Sequence, residues 1–123
     1  MPFKIIKPAT APRRSLEPGR GDSICLIDAR IGVESLDVHM NILQPNGPRG
    51  RGHRHTRSDN VYIVKSGEGL LTVEGENHTV IADDVVFIPA GAQHSLSNVS
   101  TRELVIYEIY APAGAAFDFV EEK

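Results

Sequence analysis

The sequence is poor in the features that mark several large protein classes. It has one cysteine, Cys25, so it cannot form the intrachain disulfide framework of a small secreted protein. Its formal net charge of -3 lacks the basic footprint of a nucleic-acid-binding domain, and we expect no nucleic acid partner. No apolar run approaches the roughly 20 residues that span a membrane, so no membrane partner is expected either.

The length and composition of the chain predict one domain with two flanking segments. A chain of 123 residues is long enough for one ordinary domain and too short for two. Residues 1–22, rich in Pro, Gly and Arg, should form an irregular N-terminal arm. Residues 23–112 should form the domain, and residues 113–123 a tail that packs on it. The start of the chain lacks the apolar core of a secretory signal, so we expect a cytoplasmic protein.

Short runs between turn residues predict strands throughout the domain. The runs are rich in Val, Ile, Leu, Thr and Tyr, which favour strands, and no segment is typical of a long helix. Short strands at this spacing predict an all-β sandwich or barrel. The predicted strands cover residues 23–27, 35–43, 60–64, 69–74, 78–81, 84–88, 94–98 and 103–110.

Three histidines suggest a metal site. In an extended chain alternate side chains point the same way, so His53 and His55 share a face and can reach one ion. Their surroundings resemble the first signature motif of the cupin superfamily, which reads G, five residues, H-x-H, a spacer, E, six residues, G. Gly47, His53, His55 and Gly67 fall in register with it, and Asn60 occupies the glutamate position.

A second segment resembles the other cupin motif. Pro89, Gly91, His94 and Asn98 match it, and Asp83 replaces its opening glycine. The resemblance implies an RmlC-like, double-stranded β-helix (jelly-roll) barrel with His94 as the third imidazole. It also implies one divalent transition metal, of which Fe, Mn, Ni and Zn are the candidates; imidazole ligands agree with such an ion.

Asn60 is the main departure from the family pattern. The resemblance implies three histidines and a carboxylate, whereas an amide is neutral and a weaker donor. Asn60, water or substrate can complete the ligand set. Asp59 is an alternative only if a bulge turns it inward, since a one-residue step points it to the opposite face. Some cupin-fold dioxygenases use three histidines without the glutamate, so the departure is compatible with catalysis.

Three further residues are candidates for the pocket. Tyr62 shares the face of Asn60 and is a candidate catalytic acid, or else a core tyrosine bonded to backbone. Arg51 shares the face of His53 and can bind a carboxylated substrate, or else is a solvated charge. Tyr107 is a candidate substrate-binding residue, although the pattern does not decide which face of its strand lines the pocket.

His39 is a candidate catalytic residue if its strand turns its polar face inward. That face carries Asp37, His39 and Asn41, and the opposite face carries Val38, Met40 and Ile42. The sequence favours burial of the apolar face, which would put His39 on the surface.

The sequence therefore predicts a small metal-binding enzyme of dioxygenase, isomerase or lyase type, acting on a small anionic or carbonyl-bearing metabolite. The alternative is a non-catalytic cupin that binds or senses a small ligand. We also expect a homodimer, because the arm and the strand at 23–27 are more apolar than one small barrel needs, the resemblance implies pairing, and exposed sheet edges need cover.

Overall fold

The computed structural model describes residues 3–122; residues 1, 2 and 123, the outermost positions of the predicted arm and tail, lie outside the described part. The described residues form eleven strands and three short 3-10 helices. The helices are Pro8–Thr10, Ala29–Ile31 and Gly114–Ala116. The strands are β1 (Arg13–Ser15), β2 (Gly21–Ile27), β3 (Asp37–Leu43), β4 (His53–Arg54), β5 (Asp59–Ser66), β6 (Glu68–Val73), β7 (Glu76–Ile81), β8 (Val85–Ile88), β9 (His94–Ser97), β10 (Leu104–Ala111) and β11 (Val120–Glu121).

The strands form two antiparallel sheets. One has six strands in the order β1-β2-β3-β10-β5-β8, and the other has five in the order β11-β4-β9-β6-β7. The predicted all-β class is confirmed, and each predicted strand overlaps an observed one. In residues 3–122 no helix is long and apolar enough to cross a membrane.

Three short strands have no counterpart among the predicted ones. β1 lies in the segment that we expected to be irregular, and its residues Arg13, Arg14 and Ser15 are all exposed. It forms by backbone pairing with β2 at the sheet edge. β4 and β11 are only two residues long. Strands this short, or with no buried face, leave no alternating pattern in the sequence.

The turn between β6 and β7 shows how glycine shapes the hairpins. Val73 pairs with Glu76, so Glu74 and Gly75 form a two-residue loop. Both have positive φ, 48° and 81°. Two positive φ angles are the signature of a type I′ turn, whose twist matches that of the flanking strands.

Apolar side chains pack on both faces of the six-stranded sheet. The larger cluster lies inside the barrel and consists of Leu43, Tyr62, Val64, Leu71, Val80, Ile88, Leu96, Leu104 and Ile106. A second cluster lies on the outer face and consists of Ile24, Leu26 and Met40. Ile6 and Ala11, from the N-terminal segment, pack against this outer cluster. The N-terminal segment thus covers β2 and β3 from outside.

Burial of the outer face explains why His39 lies on the inner face of the sheet. The expectation of a surface histidine follows from burial of the apolar face that carries Val38, Met40 and Ile42. Met40 is indeed buried, but in the outer cluster, and His39 is 5% exposed on the inner face. The expectation is wrong because β3 is buried on both faces, so the apolar face need not be the inner one.

Candidate metal centre

Two strands of the five-stranded sheet bring the three histidines together. His53 on β4 is paired in register with His94 on β9, and His55 follows β4. One ring nitrogen from each of the three lies within 4.8 Å of the others. The ring centroids of His53 and His94 are 4.3 Å apart. Three imidazoles at this spacing could hold a metal ion.

Hydrogen bonds to the backbone set which nitrogen of each ring carries the proton. A carbonyl oxygen only accepts, so a ring nitrogen bonded to it must be the N–H, and the other nitrogen keeps its lone pair. In all three rings the bonded atom is Nδ1, which leaves Nε2 available as a ligand. Nδ1 lies 2.7 Å from the oxygen of Arg51 in His53, 2.6 Å from that of Asp118 in His55, and 2.9 Å from that of Ala92 in His94.

The free nitrogens suit a transition metal. Nε2 of His55 and Nε2 of His94 are buried and have no hydrogen-bond partner within residues 3–122. An unpartnered buried polar atom costs about 1–3 kcal/mol, which coordination would relieve. Burial, together with the neighbouring imidazoles, lowers the pKa of His53 to about 4 and also lowers that of His94. Both rings are therefore neutral near pH 7, which is the form that binds metals.

Asn60 lies on the inner face and Asp59 does not. Asn60 is 1% exposed, and its Nδ2 donates to Oε2 of Glu108 over 3.1 Å. Its Oδ1 is buried and finds no hydrogen-bond partner in the described part of the chain. Asp59 is exposed, and its Oδ1 accepts a hydrogen bond from the backbone N–H of Ala90. No bulge turns Asp59 inward, so Asn60 is the candidate fourth ligand.

Glu108, on β10, is a site residue that the sequence reasoning missed. It is 5% exposed, and its Oε1 accepts from Nε2 of His39 at 3.1 Å and from Nδ2 of Asn41 at 3.0 Å. The sequence does carry a signal for it, because Glu108 shares one face of its strand with Leu104 and Ile106. Acidic residues are rarely buried unless they are paired, so a carboxylate on a buried apolar face indicates polar partners inside the barrel.

Glu108 and His39 form an ion pair inside the barrel. Burial alone would raise the pKa of Glu108, but the hydrogen bond from His39, its charge and the amide of Asn60 hold it at about 2. Burial would likewise lower the pKa of His39, but its bonds to Asp37 and Glu108 raise it to about 9. Nδ1 of His39 lies 2.9 Å from Oδ1 of Asp37. Near pH 7 one imidazolium therefore bridges two carboxylates.

The two tyrosines predicted to line the pocket lie on opposite faces of the sheet. Tyr62 is 4% exposed on the inner face, and burial beside the charge of Glu108 raises its pKa well above the usual value. Tyr107 packs against the outer cluster and is not among the residues that line the cavity, so its position gives no support to the predicted substrate-binding role. The inner face of β10 instead carries Ile106, Glu108 and Tyr110, all of which line the cavity.

The site opens onto a cavity of about 590 Å³ between the sheets. His39, Asn41, His53, Tyr62 and Glu108 line it. Four arginines also line it, namely Arg14, Arg20, Arg30 and Arg51.

Arg51 is a partly exposed member of this group of arginines. It forms ion pairs with Glu17, at 3.1 Å, and with Glu121. Its guanidinium carbon lies 5.6 Å from the ring centroid of Phe119. Arg51 is thus placed at the cavity but already has acidic partners.

The C-terminal tail reaches the metal centre itself. The rings of Phe117 and His55 are 4.7 Å apart, and Phe119 stacks on His53 at 4.4 Å. Asp118 supplies the carbonyl that fixes the tautomer of His55, and its carboxylate accepts from the backbone and hydroxyl of Thr56 at 2.7 and 2.5 Å. The tail therefore positions a candidate ligand from a part of the chain remote in sequence.

Comparisons with known proteins agree with this geometry. A family model for the cupin domain matches residues 39–110, more than half of the chain. The uncharacterized protein YrkC of Bacillus subtilis is 30% identical over 112 residues, which cover 89% of this chain and 54% of that protein. The chain spans about half, or less, of the length of the first curated relatives that it matches.

Solved structures with a similar fold include two bacterial proteins. KdgF from a Halomonas species has a TM-score of 0.80 at 16% identity, with 93% of this chain and 97% of that chain covered. The polyketide cyclase RemF from Streptomyces resistomycificus has a TM-score of 0.83 at 17% identity, with 98% and 86% covered. The predicted double-stranded β-helix barrel is confirmed.

We predict that His55→Ala lowers the affinity for added Zn²⁺ or Mn²⁺ by more than about 100-fold, because even residues that only hold a ligand in place change metal affinity by about 10–100-fold. Isothermal titration and elemental analysis would measure it. His78→Ala is the matched control, since that side chain is 55% exposed on β7 and away from the cluster. Full metal content in His55→Ala would mean that the ion binds elsewhere.

We predict that the metal-free protein loses about 1–3 kcal/mol of unfolding free energy as the pH rises from 6.5 to beyond 9. His39 has a folded pKa of about 9, above the value of 6.5 for the free side chain, so its contribution is complete below pH 6.5 and disappears as the pH passes 9. The groups facing it are Asp37, Glu108 and Tyr110.

Urea unfolding at pH 6, 7.5 and 9.5 would measure this loss. His39→Gln should remove the pH-dependent part, whereas His78→Gln should retain it. An identical alkaline slope in wild type and His39→Gln would show that another group titrates.

Proposed function

Since the chain belongs to the cupin family, we propose that it is a metal-dependent enzyme acting on a small anionic or carbonyl-bearing metabolite, with proton-transfer chemistry of isomerase or lyase type. The observation that carries this proposal is that His53, one of the three clustered histidines, and the residues Asp37, His39 and Glu108 line one cavity. Three imidazoles with free Nε2 atoms stand beside a buried Asp37–His39–Glu108 set.

His53, His55 and His94 would hold one divalent transition metal, and Oδ1 of Asn60 is available as a fourth ligand. When bound, such an ion acts as a Lewis acid that polarises a carbonyl group. Three neutral imidazoles and an amide leave the positive charge of the ion uncompensated. An anionic substrate group is therefore attracted to the ion.

Tyr62 and His39 are the groups proposed to hold or move a proton. The phenol of Tyr62 stays protonated because burial and the charge of Glu108 raise its pKa, so it can donate to a substrate oxygen. Near pH 7 His39 is an imidazolium that donates its Nδ1–H to Asp37 and its Nε2–H to Glu108. Glu108, whose pKa is held at about 2 by its hydrogen-bond donors, stays ionised and keeps His39 charged, so His39 and Tyr62 are the proton donors of this set.

The arginines that line the cavity support the proposal of an anionic substrate. Arg51 was the residue proposed from sequence, and it would have to release Glu17 or Glu121 to bind a carboxylate. Arg20 also lines the cavity. Its other nitrogens donate to Glu17 and to the carbonyl of Leu96, but its buried Nε has no partner among the described residues. Arg20 is therefore the stronger candidate.

A second candidate function is non-catalytic binding of a small ligand. The packing of Phe117 and Phe119 against His55 and His53 favours it, because aromatic rings narrow access to the histidines. Turnover of a carbonyl substrate by the metal-loaded protein would exclude this candidate.

We predict that Asn60→Glu binds Zn²⁺ or Mn²⁺ more tightly, by about tenfold or more, because it adds a carboxylate to the ligand set. It should also destabilise the metal-free protein, since the new carboxylate replaces an N–H donor to Glu108 with a like charge. Metal titration and urea unfolding would measure the two effects.

Asn60→Gln is the matched control, because it lengthens the side chain without adding charge. Affinity for carboxylate ligands should fall in Asn60→Glu alone. Unchanged metal affinity in Asn60→Glu would show that residue 60 does not reach the ion.

We further propose that two copies associate through the outer face of β5 and β8. Val85 and Phe87 are 68% and 62% exposed, and they pair with Ile63 and Val61 to form an apolar surface. In the described part of the N-terminal segment, Ile6 and Ala11 pack at the other end of the sheet, on β2 and β3. A second copy would bury the patch.

We predict a dimer mass by light scattering at micromolar concentration, and a monomer mass for Phe87→Lys. Val99→Lys is the control, since Val99 is 53% exposed but lies outside the patch. A monomeric wild type, or a dimeric Phe87→Lys, would contradict the proposed interface.

A further inference from the structure

Two polar residues at the cavity, remote from the histidines in sequence, have unused hydrogen-bonding atoms. Ser23 on β2 and Asn41 on β3 are directly paired in register, and both line the cavity. Ser23 is 1% exposed. Side chains of such cross-strand neighbours lie about 5 Å apart on the same face of the sheet.

The unused atoms are Oγ of Ser23 and Oδ1 of Asn41, both fully buried and without a partner among the described residues. The amide of Asn41 is held in one orientation, because its Nδ2 donates to Oε1 of Glu108 and a carboxylate can only accept. Asn41 therefore presents an acceptor to the cavity. Ser23 presents a hydroxyl that can donate or accept.

We propose that Ser23 and Asn41 form a subsite that binds two hydroxyl groups on neighbouring carbons of a polyhydroxylated substrate. One hydroxyl donates to Oδ1 of Asn41, and the next exchanges a hydrogen bond with Oγ of Ser23. Each such bond satisfies an atom that otherwise costs about 1–3 kcal/mol in the buried state.

The chemistry of the subsite separates it from the anion-binding groups. Oδ1 of Asn41 and the carboxylate of Glu108 are acceptors, so they repel a carboxylate or phosphate and favour donors. The anionic end of the substrate must then lie toward the histidines or the arginines. Binding of the anionic end of the substrate rests on the proposed function. The subsite adds the class of substrate, which is a small hydroxylated carboxylic acid.

A matched pair of probes tests the subsite. Shikimate and cyclohex-1-ene-1-carboxylate share a ring and a carboxylate and differ only in three adjacent hydroxyls. Calorimetric titration of both into the zinc-loaded and the metal-free protein should show that shikimate binds at least about tenfold more tightly, as expected for two hydrogen bonds of about 1 kcal/mol each.

Ser23→Ala isolates the role of the hydroxyl. The substitution should lower the affinity for shikimate by about threefold to tenfold and leave the affinity for cyclohex-1-ene-1-carboxylate unchanged. The fold should tolerate the change, because Oγ of Ser23 has no partner to lose. Ser95→Ala is the control, since Ser95 is a half-buried serine on β9 that does not line the cavity. It should bind both probes as wild type does.

The outcomes separate this inference from the proposed function. Equal affinity for the two probes in wild type, or an undiminished preference in Ser23→Ala, would overturn the subsite. If zinc leaves the affinity for both probes unchanged while the preference for shikimate persists, the subsite is supported and the metal-assisted binding of the carboxylate is contradicted. Failure of both probes to bind in either form would overturn both proposals.

Discussion

The ion pair between Glu108 and His39 is the interaction on which the interior of this barrel depends. A buried carboxylate is strongly unfavourable unless charge and hydrogen bonds compensate it. Here His39 supplies the charge, and the amides of Asn41 and Asn60 supply N–H donors. His39 and Asn41 lie on β3 and Asn60 lies on β5, so the carboxylate of Glu108 links these two strands to β10. Loss of any donor would leave a charge without full compensation.

The same carboxylate gives the two amides their functional orientation. Asn41 and Asn60 each donate a hydrogen bond from Nδ2 to Glu108, and the buried Oδ1 of each has no partner among the residues that the structure describes. The two oxygens are thus acceptors fixed in place. On our proposals, one faces a metal ion and the other a substrate hydroxyl. This links the Asn at the cupin glutamate position to the charge on β10: the negative charge is absent from residue 60 and present on its hydrogen-bond partner.

Backbone carbonyls play the corresponding role for the histidines. Each of the three Nδ1–H groups is bound by a main-chain oxygen, which leaves the Nε2 atoms free to face one another. Two of these oxygens lie two residues before their histidine, at Arg51 and Ala92. The third belongs to Asp118, so the orientation of His55 depends on docking of the tail. Outer partners of this kind typically control metal affinity as well as geometry.

The sequence by itself determined the features that follow from local periodicity and spacing. Alternating runs predicted the main strands, and the motifs predicted that His53, His55 and His94 meet. Tertiary structure decided the rest, because the inner face of a strand depends on what covers its other face. Ile6 and Ala11 cover the outer face of the sheet, which lets β3 turn His39 inward. Glu108 takes the inner face of β10 and Tyr107 the outer one for the same reason. The contact of Phe119 with His53 joins segments far apart in sequence, and no local pattern encodes it.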